Sequence, residues 1–391
     1  VAQLAVWLPF YLTWPWYADH DVFATMARGW DAGQLPYRDQ VSNNFPGTVY
    51  LFWGLGKVFG WGRVPAFYAA DAALLVALGA MLWLWSRARF GGALPGAVGY
   101  LMALSYYLSL DFSQAAQRDW HAPALAVIGL LAAQTWPGRA GAALSVLGVS
   151  AGFLVRPQVV LLIPAALLAV TERAGGSWGR RAKVSAAWLA AVGLVTAVGF
   201  LPLVRAGVFG DFLAGLRTLS AGGDYNKNSV GRAASLLLDE VCQFRIASIA
   251  VGVACLAWSE AGRSLRPVAA VWLAALAGVL LYAPLSPARH PYLDHPLWLV
   301  WSVNVAVLSG LILASGVPAK WQLFALLLVL GTGATARPEF CRPGPLRDAV
   351  ASLREGREPI AAPAGYRRPL HNPPPWADYR ALLAYLRAHT D

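Results

Sequence analysis

The stretch Val184–Val204 reads VSAAWLAAVGLVTAVGFLPLV and holds no charged residue, between Lys183 and Arg205. An α-helix needs about 20 mostly apolar residues to cross a bilayer, and this run supplies them. Working outward, comparable runs recur at Pro65–Ser86, Leu94–Leu110, Val268–Pro284, Leu297–Ser315 and Trp321–Ala336. Shorter ones lie at His121–Trp136, Ala140–Val155, Val159–Val170 and Phe244–Trp258. With the apolar Val1–Thr13, too short to span by itself, the pattern predicts about eleven spans. The expected fold class is all-α, a polytopic transmembrane helix bundle with long external loops. The chain opens on Val1 inside an apolar run, so the first helix reads as cut. The C-terminus, soon after a helical pattern, reads the same way, and no cleavable signal peptide is recognisable.

Composition supports that class and excludes others. Of 391 residues, 58% are hydrophobic and 13% charged, against roughly 25% charged in soluble domains. Mean hydropathy is +0.50. A disordered chain needs low hydrophobicity and high charge, and a soluble enzyme needs more polar surface than this. The 18 tryptophans suit membrane–water interfaces. The net charge of +11 would suggest nucleic acid in a soluble protein. Here it reads as loop bias and contact with anionic lipid headgroups, with no nucleic-acid partner. Cys242, Cys255 and Cys341 are too scattered for a metal site or a disulfide framework. Cys255, in an apolar run, reads as a small core residue.

Charge also orients the spans. Arg87 and Arg89, Arg139, the group Arg173, Arg180, Arg181 and Lys183, then Arg263 and Arg266, and Lys320 occupy alternate, short connections. Those connections hold only two acids, Glu172 and Glu260. The positive-inside rule makes them cytoplasmic. The longer connections Trp14–Val64, Asp111–Trp120, Arg205–Val241 and Leu285–Pro296 are then external. So is the Pro- and Arg-rich tail 337–391, which ends in a helical pattern over Trp376–His389. Two domains follow: a membrane domain, 1–336, and the external tail.

The first external loop carries the densest chemistry. It runs Tyr17-Ala-Asp19-His20-Asp21-Val-Phe, an amphipathic turn to Gly33, then Pro36-Tyr37-Arg38-Asp39. It continues through Asn43-Asn44-Phe45-Pro46-Gly47 into Thr48–Phe59, an apolar helix too short to span easily. Asp19 and Asp21 stand just past the first span, at the level of a lipid headgroup. A partly desolvated carboxylate there can accept a proton from a hydroxyl. Asp71 lies inside a span, about six residues or roughly 9 Å from its outer end at 1.5 Å per residue. It is expected to hydrogen-bond within the bundle, since an acid in a span is costly and functional by default.

This order resembles the GT-C superfamily of integral-membrane glycosyltransferases: an acid after the first span, about fourteen residues to a Gly, Pro-Tyr-Arg-Asp, then Pro-Gly into an aromatic helix. The bacterial relatives of dolichyl-phosphate-mannose protein mannosyltransferases and aminoarabinose transferases are the most similar in pattern. The resemblance implies inverting transfer of a sugar from a polyprenyl-phosphate donor to a glycan, lipid or protein acceptor. It places the protein in the plasma (inner) membrane of a bacterium, with the active site on the external, periplasmic side. Asp19 or Asp21 would be the general base, and Asp19 fits the spacing to Gly33 better. Where the family often has Asp-Glu, this chain has Asp19-His20. Asp119 would be the second-loop acid. Arg156, Arg289, His290 and His295 would bind the lipid phosphate, for which cations make strong, charge-assisted bonds. Tyr37, Arg38 and Asp39 would belong to the substrate loop. A divalent cation, Mg or Mn, on Asp19, Asp21 and Asp119 is compatible with the family, some members of which need one; no other cofactor is implied.

Plainer readings stand beside these. Asp39 could pair with Arg38 or cap a turn, and Asp31 reads as helix surface. Asp119 could simply favour a helix N-terminus. Arg118 reads as an interfacial anchor, and Arg156 could snorkel. His290 and His295, five apart around prolines, do not suit zinc. Gly222–Asn228 reads as a flexible external loop. The alternative function class is a transporter or lipid flippase. It would carry charges along a path through the bundle and often shows internal repeats. Here only Asp71 is clearly intramembrane, and no repeat stands out.

Overall fold

The computed structural model describes residues 2–12, 14, 17–40, 42, 44–110, 114–172, 177–221, 230–282 and 291–333, with positions 354 and 388. Contacts divide the chain into two units, Val1–Trp16 with Pro338–Asp391, and Tyr17–Arg337. In the first, helix α1 (Ala2–Tyr11) is described, with Tyr11 edge-on to Trp14. The tail, including the expected terminal helix, lies outside the described residues apart from Arg354 and Ala388.

In the second unit the described residues are helical, with no β-strand. The first loop folds into α2 (Ala18–Asp31) and α3 (Pro46–Phe59). Then come α4 (Val64–Phe90), α5 (Leu94–Leu108), α6 (Arg118–Thr135) and α7 (Arg139–Val155). A 3-10 turn, Pro157–Leu162, leads into α8 (Ile163–Thr171) and the long α9 (Trp178–Arg205). The segment read as a loop over 205–241 contains two helices, α10 (Phe209–Ala221) and α11 (Val230–Val241). The chain closes through α12 (Phe244–Trp258), α13 (Arg266–Leu280), α14 (His295–Ala314) and α15 (Ala319–Gly333). Among the described residues every apolar run of the sequence forms helix over most of its length, as an all-α polytopic bundle requires. Four helical stretches among the described residues are long and apolar enough to cross a membrane by length and composition: Val64–Phe90, Trp178–Arg205, Arg263–Leu280 and Tyr292–Ala314. The Val159–Val170 run is a 3-10 turn passing directly into α8, with Pro157 and Pro164 each in the first turn of its segment.

Sequence explains many of the ends. Pro46, Pro65, Pro95, Pro164, Pro267 and Pro296 sit in the first turns of α3, α4, α5, α8, α13 and α14. There the missing N–H costs nothing and the fixed φ suits a helix. Gly91, at φ +74°, closes α4 in the left-handed conformation that glycine adopts without strain.

Lipid is as apolar as leucine, so packing and hydrogen bonds hold such a bundle rather than the hydrophobic effect. Helix α14 is buried along almost its whole length, as expected of a helix apolar all round at the centre of a bundle. Helix α9 is the opposite: Trp188 and Leu203 are buried, while Leu189, Leu194, Val198, Leu201 and Val204 are exposed. Helices α6 and α7 form a tight hairpin. A Cβ on Gly148 or Gly152 would lie 2.5 Å from the Leu125 or Ala122 carbonyl oxygen, respectively. Only small residues allow backbones that close. The hairpin sets the start of α6 beside the end of α7.

At the opposite end of the hairpin, the indole N–H groups of Trp85 and Trp272 both donate to Gln134 Oε1 at 2.9 Å. Gln134 Nε2 donates to Glu172, which also pairs with Arg89. Two of the connections that charge bias assigned to one membrane face thus meet at one end of the bundle. Cys255 is a correction: it is exposed on α12, where an apolar environment can be lipid as well as protein core.

Candidate active site

Helix α2 begins at Ala18, so Asp19 and Asp21 fall in its first turn, where the dipole favours negative charge. They are two residues apart, about 200° around the helix, and face different surroundings. His20 between them is buried against Phe67, ring centroids 4.8 Å apart, and its Nδ1 accepts the Tyr17 backbone N–H at 3.4 Å. Burial, helped by nearby His121, pushes its pKa down to about 3, against smaller pulls from the Ala116 backbone and Asp71. The imidazole is therefore neutral. Asp21 is open to solvent on one side, yet the protein around it desolvates the carboxyl and raises its pKa to about 6.

Asp119 is fully buried at the start of α6. Arg156, just past the end of α7, donates from Nε to Asp119 Oδ1 at 2.9 Å and from Nη2 to Oδ2 at 3.1 Å. Tyr282, beyond α13, donates to Oδ1 at 2.7 Å. The two-pronged arginine–carboxylate fork is strong and geometrically specific. Gly47 supports it from the first loop. A Cβ there would stand 2.7 Å from Leu154 C and O, so the Pro46-Gly47 of the motif lets α3 rest directly on the last turn of α7.

Arg118 is the residue that sequence reasoning set aside. Its side chain is nearly buried, with the guanidinium over the Phe23 ring at 5.2 Å and Nε 3.8 Å from Asp119 Oδ2. Nε and Nη1 make no hydrogen bond. It interacts electrostatically with Asp19, Asp119 and Arg156, and Tyr292 feels all four of these charges. Loop 1, the start of α6, the end of α7 and the turn before α14 therefore converge on one point. A signal for Arg118 was available: a cation in the first turn of a helix opposes the macrodipole, so its presence there asks for a reason.

Other predicted residues are engaged elsewhere. His295 is fully buried, with Nε2 2.8 Å from the Gln114 carbonyl and Nδ1 2.6 Å from Tyr106 Oη. A carbonyl only accepts, so Nε2 carries the proton and the Tyr106 hydroxyl donates to Nδ1. Both ring nitrogens are thus committed within the protein. Tyr37 is buried at φ +69° and donates to the Asn44 carbonyl at 2.9 Å; burial keeps its phenol protonated. Arg38 spans to the α9–α10 junction, donating to Asp211 Oδ2 at 2.9 Å and the Gly207 carbonyl at 2.8 Å. Asp39 accepts the Leu35 N–H at 2.7 Å and so caps its turn. Asp31 pairs with Lys57 on α3. Arg289, His290 and the Gly222–Asn228 loop lie outside the described residues.

The three carboxylates do not assemble into a metal site. Asp119 has both oxygens on Arg156, and Asp19 and Asp21 diverge around α2. Among the described residues no group of three or more His, Cys, Asp or Glu side chains could hold an ion.

Asp71 is buried in α4, where Tyr107 donates to its Oδ2 at 2.5 Å and His121 Nε2 lies 2.6 Å from its Oδ1. The Tyr107 hydroxyl in turn accepts the Ala116 N–H at 2.8 Å. Ala116 has φ +56°, a left-handed conformation costing a non-glycine residue about 1–2 kcal/mol.

No protein-family model matches the sequence, and no curated protein matches it. Among solved structures, the chain is similar to ArnT from Cupriavidus metallidurans in the apo state. The TM-score is 0.55 at 16% identity, over 84% of this chain and 61% of that one. This chain therefore spans less than two thirds of the length of the protein it matches. At such identity the likeness is one of fold: the chain has an ArnT-like, all-α polytopic bundle.

Proposed function

We propose that the protein is an integral-membrane glycosyltransferase. It would move a sugar from a polyprenyl-phosphate donor to a glycan, lipid or protein acceptor at the external face of a bacterial inner membrane. One observation carries the reading: Asp19, Arg118, Asp119 and Arg156, from three separate stretches of chain, gather at one end of an ArnT-like bundle.

Asp19 accepts the proton of the acceptor hydroxyl. The hydroxyl oxygen bonds to the anomeric carbon as the bond from that carbon to the phosphate oxygen breaks. Attack from the opposite side inverts the centre, and the lipid phosphate leaves with the bonding electron pair. Negative charge grows on the departing phosphate, where a fixed cation with free donors is worth most. Arg118 has such donors. Arg156 adds positive field while held on Asp119. Arg289 and His290 are further proposed phosphate contacts. His295 is not, since both its nitrogens are committed.

The test is incubation of the purified protein with a panel of polyprenyl-phosphate sugars, following release of polyprenyl phosphate. Wild type is expected to release it from at least one donor. Asp19→Asn should accumulate normally in membranes and lose transfer by about 10²–10⁴-fold, the usual worth of a general base. Arg118→Ala should raise the KM for the donor. Release from no donor overturns the reading in favour of transport, and wild-type turnover in Asp19→Asn removes Asp19 as the base.

A further inference from the structure

The structure assigns a positioning role to a buried clamp formed by Asp71, Tyr107 and His121: it holds the turn 114–117 in the conformation that presents Arg118. The assignment rests on the proposed function only for what Arg118 does there. The clamp stands on its own geometry. Tyr107 is the hinge of the arrangement. Its hydroxyl has one proton, which goes to Asp71 Oδ2 at 2.5 Å, and its lone pair takes the Ala116 N–H at 2.8 Å. The Asp71 carboxylate can only accept, so His121 presents an N–H to Oδ1 at 2.6 Å. Each polar group of the chain from α4 through α5 to the turn therefore donates or accepts in a determined direction.

The same turn is gripped a second time. Tyr106, the neighbour of Tyr107, donates to His295, and His295 donates to the Gln114 carbonyl. One dipeptide at the end of α5 thus secures the turn at both Gln114 and Ala116. The turn needs such support because Ala116 holds a positive φ of 56°. Without the grip the chain is free to relax to an ordinary φ, and Arg118, two residues on, moves with it. Small misplacements of a positioning group cost rate steeply. Asp71 and His295, one an intramembrane acid and the other a predicted phosphate ligand, so act on the site through the backbone of the second loop.

Tyr107→Phe tests this in the full-length protein. It removes one oxygen and keeps the ring, which lies 4.5 Å from Trp120, so the fold is retained. Hydrogen exchange over 114–118 should be faster than in wild type, and transfer at low donor concentration should fall about tenfold or more. Adding Ala116→Gly should restore most of the transfer, because glycine holds a positive φ without strain. Asp71→Asn should change exchange in the same direction. A purely structural role would lower yield or melting temperature, leave the folded protein's activity intact and gain nothing from the glycine. Unchanged exchange in Tyr107→Phe overturns the clamp. Faster exchange with unchanged transfer, or a double variant no better than Tyr107→Phe, overturns its link to the site. A wild type inert toward every donor overturns the proposed function alone, and the exchange measurement still decides the clamp.

Discussion

Asp19 and Asp21 are one helical turn's worth of sequence with two different electrostatic fates. Asp19 shares the field of Arg118, whereas Asp21 is raised to about 6 by burial. The charge of Asp21 is therefore present above about pH 6 and lost below it. If its negative charge helps draw the proton of an acceptor hydroxyl towards Asp19, transfer should fall on acidification with a midpoint near pH 6. That acid limb should disappear in Asp21→Asn with Asp19 intact. A pH–rate profile of the two proteins decides the point; an identical limb in both removes Asp21 from the chemistry. His20 stays neutral across that range, its pKa near 3, so it does not contribute the limb.

Elements meet where small residues let them. Helices α6 and α7 touch through glycines, and Gly47 brings α3 onto the last turn of α7. Gly47→Ala would force a methyl group to within 2.7 Å of the Leu154 backbone, and overpacking of this kind costs about 1–3 kcal/mol. Helix α3 should shift, and with it Arg156, two residues beyond Leu154. The expected outcome is a lower thermal midpoint in detergent together with weaker transfer. A variant with wild-type midpoint and activity would show that α3 does not support the site. Arg38 ties the same loop to the start of α10, but both partners are well exposed, so that pair adds little stability.

Over the whole molecule, the charge pattern sorts the loops onto two faces. The largely buried Arg89–Glu172 pair joins two connections of the basic set, and the candidate site gathers connections of the other set. Cys242 follows α11 and is exposed, at the edge of a connection that charge bias assigns to the outside. In a variant carrying Cys255→Ser and Cys341→Ser, a membrane-impermeant maleimide should label Cys242 in intact cells. Labelling only after lysis would invert the orientation.

The ten apolar runs, their helical state and the polarity of their connections were legible in sequence, because spanning a membrane demands length, hydrophobicity and charge bias that are local properties of the chain. Asp19, Asp119 and Arg156 were legible as candidates for a similar reason: a charge at the edge of an apolar run is conspicuous. Their partnership was not. The fork between Asp119 and Arg156 needs α6 and α7 to pack through glycines far apart along the hairpin, such as Gly129 with Gly148. Arg118, read as an anchor, owes its free donors to what surrounds it, and His295, read as a phosphate ligand, is taken up by Tyr106 and Gln114. Helices α10 and α11 were read as loop, since amphipathic segments between spans lack the continuous apolar signal. The sequence by itself determined that the chain is an all-α polytopic helical bundle. Only the tertiary structure decided which charges are spent on each other, because a hydrogen bond is a matter of ångströms between segments far apart in the chain.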